Sequence, residues 1–301
     1  MHDRDCLHRF VFEQFPIRGH LVHLDAAWQA LIEHHRYPAP IRDVLGQAVA
    51  ASLLLAATIK FEGVLSLQLQ GEGSVYLLLA QCTSGLGVRG LARYRDAQNP
   101  VAAAGAGIGD LIGPGNLTVT LETDDGAQRY QGIVPIDGDR LVDSLQGYFE
   151  NSEQLPTRLW LHADSNGASG MLLQRLPDNG GATASAAVDD AWRRLQLIGD
   201  TLTPEELRTL ADAEILHRLF NEDDLRLFEP SPVYFRCRCS RERVAGMLQG
   251  LGEAETSSVL ADRGEVEVRC DFCNRAYVFD AVDVAQLFNA GVAGGIGRSV
   301  H

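Results

Sequence analysis

Four of the six cysteines in this 301-residue chain fall within 37 residues, as Cys237-x-Cys239 in FRCRCSRERV and Cys270-x-x-Cys273 in VEVRCDFCNRAYVFD. Outside that window only Cys6 and Cys82 occur. Two close pairs of thiols restrict a small domain to folds that bring the pairs together. A metal ion, two disulfides or plain burial could each be the reason. A segment of about 55 residues lies below the size at which apolar burial alone usually suffices, so a staple is expected. Zinc fits best, one ion per chain, because its structural sites are tetrahedral and often built from four thiolates in two close pairs. In an extended chain Cys237 and Cys239 point to the same side. Asn274 follows Cys273 where a left-handed residue is expected. No histidine lies between Arg218 and His301, so Cys237, Cys239, Cys270 and Cys273 form the expected ligand set. The nine histidines read as surface or satisfied core positions.

Thiolate ligands bring a second property. Oxidised to sulfenic acid or disulfide they release the ion, and in a small domain the energy of metal binding is folding energy. The pattern therefore permits an oxidant-operated unfolding switch.

The first half alternates helix and strand signals. HLDAAWQALIEHHR (23–36) carries Leu24, Ala27, Trp28, Leu31 and Ile32 at helical spacing. YPAPIRDVLGQAVAASLLLAATIKF reads as a helix apolar nearly all round, hence central. Its most apolar run, Ala48–Ile59, is shorter than the ~20 residues that cross a bilayer. VLSLQLQ, VYLLLAQC, GVRGLARY, NLTVTLET, YQGIVPI, TRLWLHAD and GMLLQRLP read as strands, with GEGS and Asp124–Gly126 as turns. DRLVDSLQGYFENSEQLP reads as a helix, and GAGIGDLIGPG as a loop, since no G-K-[ST] follows its glycines. No catalytic site is expected.

After Leu176 the character changes. PDNGGATASAA reads as a flexible opening. Then come short capped helices: Thr203, Pro204 and Glu206 make a capping box, and Ile215, Leu216, Leu219 and Phe220 share a side. Residues 177–235 carry twelve acids against five arginines. Short, self-repelling amphipathic helices are marginal alone and need a surface to lie on. From Arg236, SRERVAGMLQGLG reads as a helix capped by Ser240, with Val244, Met247, Leu248 and Leu251 inward. EVEVRC and AYVFD read as strands around the second thiol pair, and DAVDVAQLF as a closing helix. The expected organisation is α+β: a two-layer α/β core domain (1–176), a helical linker (177–235), a small zinc-binding domain (236–290) and a flexible tail (291–301).

The net charge of −14 disfavours a polyanion partner. The charged opening MHDRDCLHRF does not read as a signal peptide. A cytosolic location with reduced thiols is expected, with neither nucleic acid nor membrane as partner.

The cysteine pattern resembles the heat shock protein 33 family of redox-regulated bacterial chaperones. The likeness continues through YPAPIRDVLGQAVAASLLLAATIKFEGVLSLQLQGEGSVYLLLAQC, RYQGIVPIDGDRLVDSLQGYFENSEQLPTRLWL and GMLLQRLP of the first domain. It resumes in VRCDFCNRAYVFDAVDVAQLF of the last. The resemblance implies an ATP-independent holdase, inactive while reduced and zinc-bound. Oxidants such as hypochlorous acid form Cys237–Cys239 and Cys270–Cys273 disulfides, expel zinc and unfold a metastable linker. The activated form, often a homodimer, holds unfolded client proteins. The four cysteines are thus implied to be both zinc ligands and redox switch; Cys6 and Cys82 receive no role.

Two other readings compete. A zinc-ribbon nucleic-acid binder would carry a basic patch, but residues 236–280 hold seven arginines against eight acids. A thiol–disulfide oxidoreductase would place Cys270 and Cys273 at a helix start in a βαβ unit, whereas strand signals flank the pair.

Overall fold

The computed structural model describes residues 4–95, 107–126, 129–177 and 182–289. The expected tail, 291–301, lies outside these. The chain divides into two units, Met1–Arg236 and Cys237–His301.

Two antiparallel sheets and a central helix build the first unit. β1 (Cys6–Phe12) and β2 (Ile17–Leu24) precede α1 (Ala26–Ile32) and α2 (Ala39–Thr58). β3 (Gly63–Gly71), β4 (Val75–Thr83) and β5 (Gly87–Tyr94) lead to α3 (Ile108–Ile112), β6 (Gly115–Thr123) and β7 (Arg129–Pro135). α4 (Leu141–Tyr148), β8 (Thr157–Ala163) and β9 (Ala168–Arg175) follow. One sheet runs β1-β2-β9-β8 and the other β5-β4-β3-β6-β7.

α2 packs against strands of both sheets, which is why it is apolar on every side. A Cβ on Gly90 of β5 would meet Leu45 and Val49 of this helix, and one on Gly170 of β9 would meet Leu54. Glycine at these two points lets the helix lie close to each sheet. α2 is the one helix among the described residues long and apolar enough to cross a membrane, and 72% of its most apolar window is buried. The core position accounts for that apolarity.

Of residues 182–235, the helical part up to Phe220 covers the other face of the β1-β2-β9-β8 sheet. The segment forms α5 (Ala182–Gly199), α6 (Pro204–Thr209), α7 (Asp212–Phe220), β10 (Leu225–Leu227), β11 (Ser231–Pro232) and β12 (Tyr234–Phe235). Alternation in the sheet explains how they dock. Leu7, Val22, Leu24 and Leu172 face the α2 core. Phe10, Phe12, Ile17, Leu21, Met171 and Leu173 face a second core, with Trp192, Leu195, Leu207, Ile215, Leu216 and Phe220. Phe220 stacks edge-on to Phe12 with ring centroids 5.3 Å apart. β10 and β11 extend the sheet at β1, and β12 pairs parallel with β5. Thr203 Oγ1 accepts from the Glu206 amide while Glu206 accepts from the Thr203 amide, the capping box read from sequence. The salt bridge from Arg158 of β8 to Asp200 (2.9 Å) adds a polar contact.

The second unit holds α8 (Arg241–Leu251), α9 (Glu253–Arg263), the hairpin β13 (Val266–Arg269) and β14 (Ala276–Phe279), and α10 (Ala281–Asn289). Among the described residues its buried apolar core is six side chains, Val244, Leu248, Val266, Tyr277, Phe279 and Val284, with Val259, Leu260, Leu287 and Phe288 partly buried against them.

Several sequence expectations need correction. His23 and Leu24 belong to β2, because pairing with β9 over Ser169 and Ala168 claims them; α1 starts only at Ala26. β1, β2, the strands at 225–235 and α9 were not expected. GDLI of the supposed loop is helical, Ile108–Ile112, capped by Gly107 and Asp110; the preceding residues 105–106 lie outside the described ones. The helix expected over 139–156 is α-helical only to Tyr148 and ends in a π-helical turn, Phe149–Glu153. The supposedly flexible opening is helical from Ala182, with 178–181 outside the described residues. Met247 and Leu251 face outward, 55% and 59% exposed. Helical spacing cannot tell how wide the covering core is, and this one spans only Val244 and Leu248 of α8.

Candidate metal centre

The four cysteines come from two local structures that the sequence specifies separately. Cys237 and Cys239 lie in the stretch before α8. Ser240 caps that helix by accepting from the Arg243 amide, and the Arg243 guanidinium donates to the Arg238 carbonyl at 2.6 Å. The cap and the arginine together hold the C-x-C segment against the helix start. Cys270 and Cys273 occupy the turn between β13 and β14. The Asn274 amide donates to the Cys270 carbonyl at 2.8 Å, and the Cys270 amide to the Arg275 carbonyl at 3.0 Å. Asn274 takes φ 54°, a left-handed conformation asparagine tolerates, and turns both thiols inward.

The result is a sulfur cage. Cys237 Sγ lies 3.3 Å from Cys239 Sγ and 3.6 Å from Cys270 Sγ, and Cys239 Sγ lies 3.4 Å from Cys273 Sγ. All four sulfurs fall within 4.8 Å of one another. A disulfide needs about 2.05 Å, and all six cysteines are free. A tetrahedral ion with metal–sulfur bonds of about 2.3 Å sets its sulfurs roughly 3.8 Å apart, near the spacing seen. The donor set and its geometry fit a metal ion.

Electrostatics point the same way. Burial pushes the Cys237 and Cys273 thiols up. Burial also works on Cys239, but hydrogen bonds from Tyr277 and the neighbouring thiols outweigh it and bring that group to about 7. Four thiolates cannot share so small a volume without a cation among them. The Tyr277 hydroxyl, donating to Cys239 Sγ at 3.0 Å, is a partner that cysteine spacing does not reveal. A tyrosine four residues beyond the second pair, on a strand, was its only sequence signal. Such outer contacts orient metal ligands.

The remaining cysteines lie elsewhere. Cys82 is fully buried in β4, and burial pushes its thiol up to about 12, so it is chemically quiet. Cys6 is buried on β1 beside His8. The Cys270-x-x-Cys273 pair sits in a hairpin turn rather than at a helix start, which removes the geometry an oxidoreductase motif uses.

Comparison with known proteins identifies the family. The family described as Hsp33 protein matches residues 5–280. The 33 kDa chaperonin of Nitrosococcus oceani is 47% identical over 301 residues, covering 100% of both chains. That of Methylobacillus flagellatus is 45% identical over 285 residues, 94% of each chain. The crystal structure of the 33 kDa chaperonin from Thermotoga maritima matches with a TM-score of 0.82 over 96% of this chain and 99% of its own. Its identity is 21%, so that likeness speaks to the fold. With a matching family pattern across most of its length and relatives this similar end to end, the chain belongs to the Hsp33 family.

Proposed function

We propose that this chain is a redox-regulated, ATP-independent holdase, working by binding rather than catalysis. The observation that carries the reading is the cage of four sulfurs within 4.8 Å of one another in a unit with six buried apolar side chains among its described residues. Cys237, Cys239, Cys270 and Cys273 hold one zinc ion in the reduced chain, and the ion supplies folding energy that the small core lacks.

Oxidation removes two electrons from each thiol pair, forms one S–S bond per pair, and passes the electrons to an oxidant such as hypochlorous acid. The sulfurs then no longer hold the ion. The expected bridges are Cys237–Cys239 and Cys270–Cys273, a pairing taken from the family resemblance, since the cross-pair contacts of 3.4 and 3.6 Å are nearly as short as the 3.3 Å between Cys237 and Cys239. The unit from Cys237 onward then unfolds. The 182–235 segment, which leads directly into that unit in sequence, then leaves the sheet face. Apolar surface so exposed binds unfolding client proteins in the cytosol, and the active form is a homodimer.

The test measures zinc release and free thiols after hypochlorite, beside aggregation of a chemically unfolded client. One zinc released per chain, four thiols lost and aggregation suppressed only after oxidation are expected. Equal suppression by the reduced, zinc-loaded chain would overturn the gating, and a disulfide map linking Cys237 to Cys270 would overturn the pairing.

A further inference from the structure

Cys6 and His8, two residues apart on β1, face the same side, and α7 brings Asp212 onto them. Cys6 Sγ lies 3.8 Å from His8 Nδ1, and His8 Nδ1 is hydrogen-bonded to Asp212 Oδ2. The three atoms fall within 4.8 Å of one another. From β2, His23 Nδ1 meets the other carboxylate oxygen at 2.6 Å, and its Nε2 donates to the Leu207 carbonyl at 2.6 Å. The Asp212 and His23 side chains are 6% and 4% exposed. The cluster lines a cavity of about 320 Å³. Arg4 also lines it, but turns its guanidinium to the carbonyls of Arg208 and Thr209.

We propose that Cys6, His8 and Asp212 form a second site, for a divalent ion of the zinc class, that ties the 177–235 segment to the core. Thiolate, imidazole and carboxylate are zinc's three usual donor types, and three protein donors leave the fourth position to a water on the cavity side. One thiolate and one carboxylate cancel a divalent charge, which lowers the cost of burying it. His23 orients Asp212 from behind, as outer-shell groups do at metal sites. Bonds of 2.0–2.3 Å need donors roughly 3.3–3.8 Å apart, and the Cys6–His8 spacing satisfies this. His8 and Asp212 lie closer because a proton joins them. The ion replaces that proton and the thiol proton, and both go to solvent on binding. No residue is shared with the four-cysteine centre.

The test uses the reduced full-length chain, Cys6→Ser and Asp212→Asn, each incubated with a tenfold excess of Zn²⁺, desalted and assayed for bound metal. The wild type should hold one ion more than either variant, a difference that does not depend on what the four-cysteine centre holds. Co²⁺ added to zinc-treated chain from which this extra ion has been stripped should give visible d–d bands with thiolate charge transfer, missing in Cys6→Ser. Thermolysin cleavage within 182–235 should slow with the extra ion in the wild type alone. Equal metal content in wild type and Cys6→Ser, with no cobalt spectrum separating them, overturns the proposal. Cys6→Ser leaves the Asp212 contacts in place, so it decides the matter even if Asp212→Asn loosens α7.

Discussion

Phe220→Ala isolates the docking of the 182–235 segment on its sheet. The side chain is 1% exposed and lies between Phe10 and Phe12, with ring centroids at 6.5 and 5.3 Å. Truncating a buried phenylalanine costs about 3–5 kcal/mol, the lost transfer energy plus the cavity left behind, and the aromatic pairs fall within that loss. At about 1.4 kcal/mol per decade, the open population of α7 should rise by a factor of about 10² or more. Hydrogen exchange read by mass spectrometry on the reduced, zinc-loaded protein checks this. Peptides spanning α5 to α7 should exchange faster by about that factor, while those from α2, in the other core, change far less. Metal content should stay at the wild-type value. Under the proposed function the variant also suppresses client aggregation without oxidant. If α2 and α7 accelerate together, the segment is no separable element and the reasoning fails; unchanged exchange in α7 refutes the packing argument itself.

Cys273→Ser should unfold residues 237–289 and with them release 182–235 from its sheet, while α2 and the two sheets of the first unit keep their structure, because six buried apolar side chains cannot replace a metal contribution of roughly 10–16 kcal/mol; limited proteolysis that finds the variant's second unit intact would contradict this. Acid should destabilise the first unit through His20, where burial, with Arg18 and Arg9 nearby, pushes the ring from 6.5 down to about 3. The unfolded chain takes up a proton below about pH 6.5 that the folded chain refuses until about pH 3, so this stability is complete above pH 6.5 and lost on acidification, by about 2 kcal/mol at pH 5. Urea titrations at pH 7 and pH 5 should show that loss, and His20→Leu should remove it. Cys82, buried and with its thiol pushed up to about 12, should resist iodoacetamide in the native chain and react once urea unfolds it; rapid native labelling would show that its strand opens.

The clustering of Cys237, Cys239, Cys270 and Cys273 was legible because such spacing is local. A C-x-C in extended chain and a C-x-x-C between strands each aim two sulfurs one way, wherever the rest of the chain goes. α2 was legible for a similar reason: twenty residues apolar on every side have no stable place except between two layers. The caps at Thr203 and Ser240, the turn at Asn274 and most strands of the first domain likewise depend on near neighbours. β1 and β2 were hidden because His8, Arg9, His20 and His23 break their apolar pattern. Two of those, His8 and His23, find their partner in Asp212, about two hundred residues away. The outward turn of Met247 and Leu251, and the edge strands 225–227 and 231–232, also waited on what packs beside them. Propensity, capping and ligand spacing act over a few residues, so sequence alone determines them. Which face is buried, and which polar group is neutralised by what, depends on surfaces that meet only when distant segments fold together, and tertiary structure decided those.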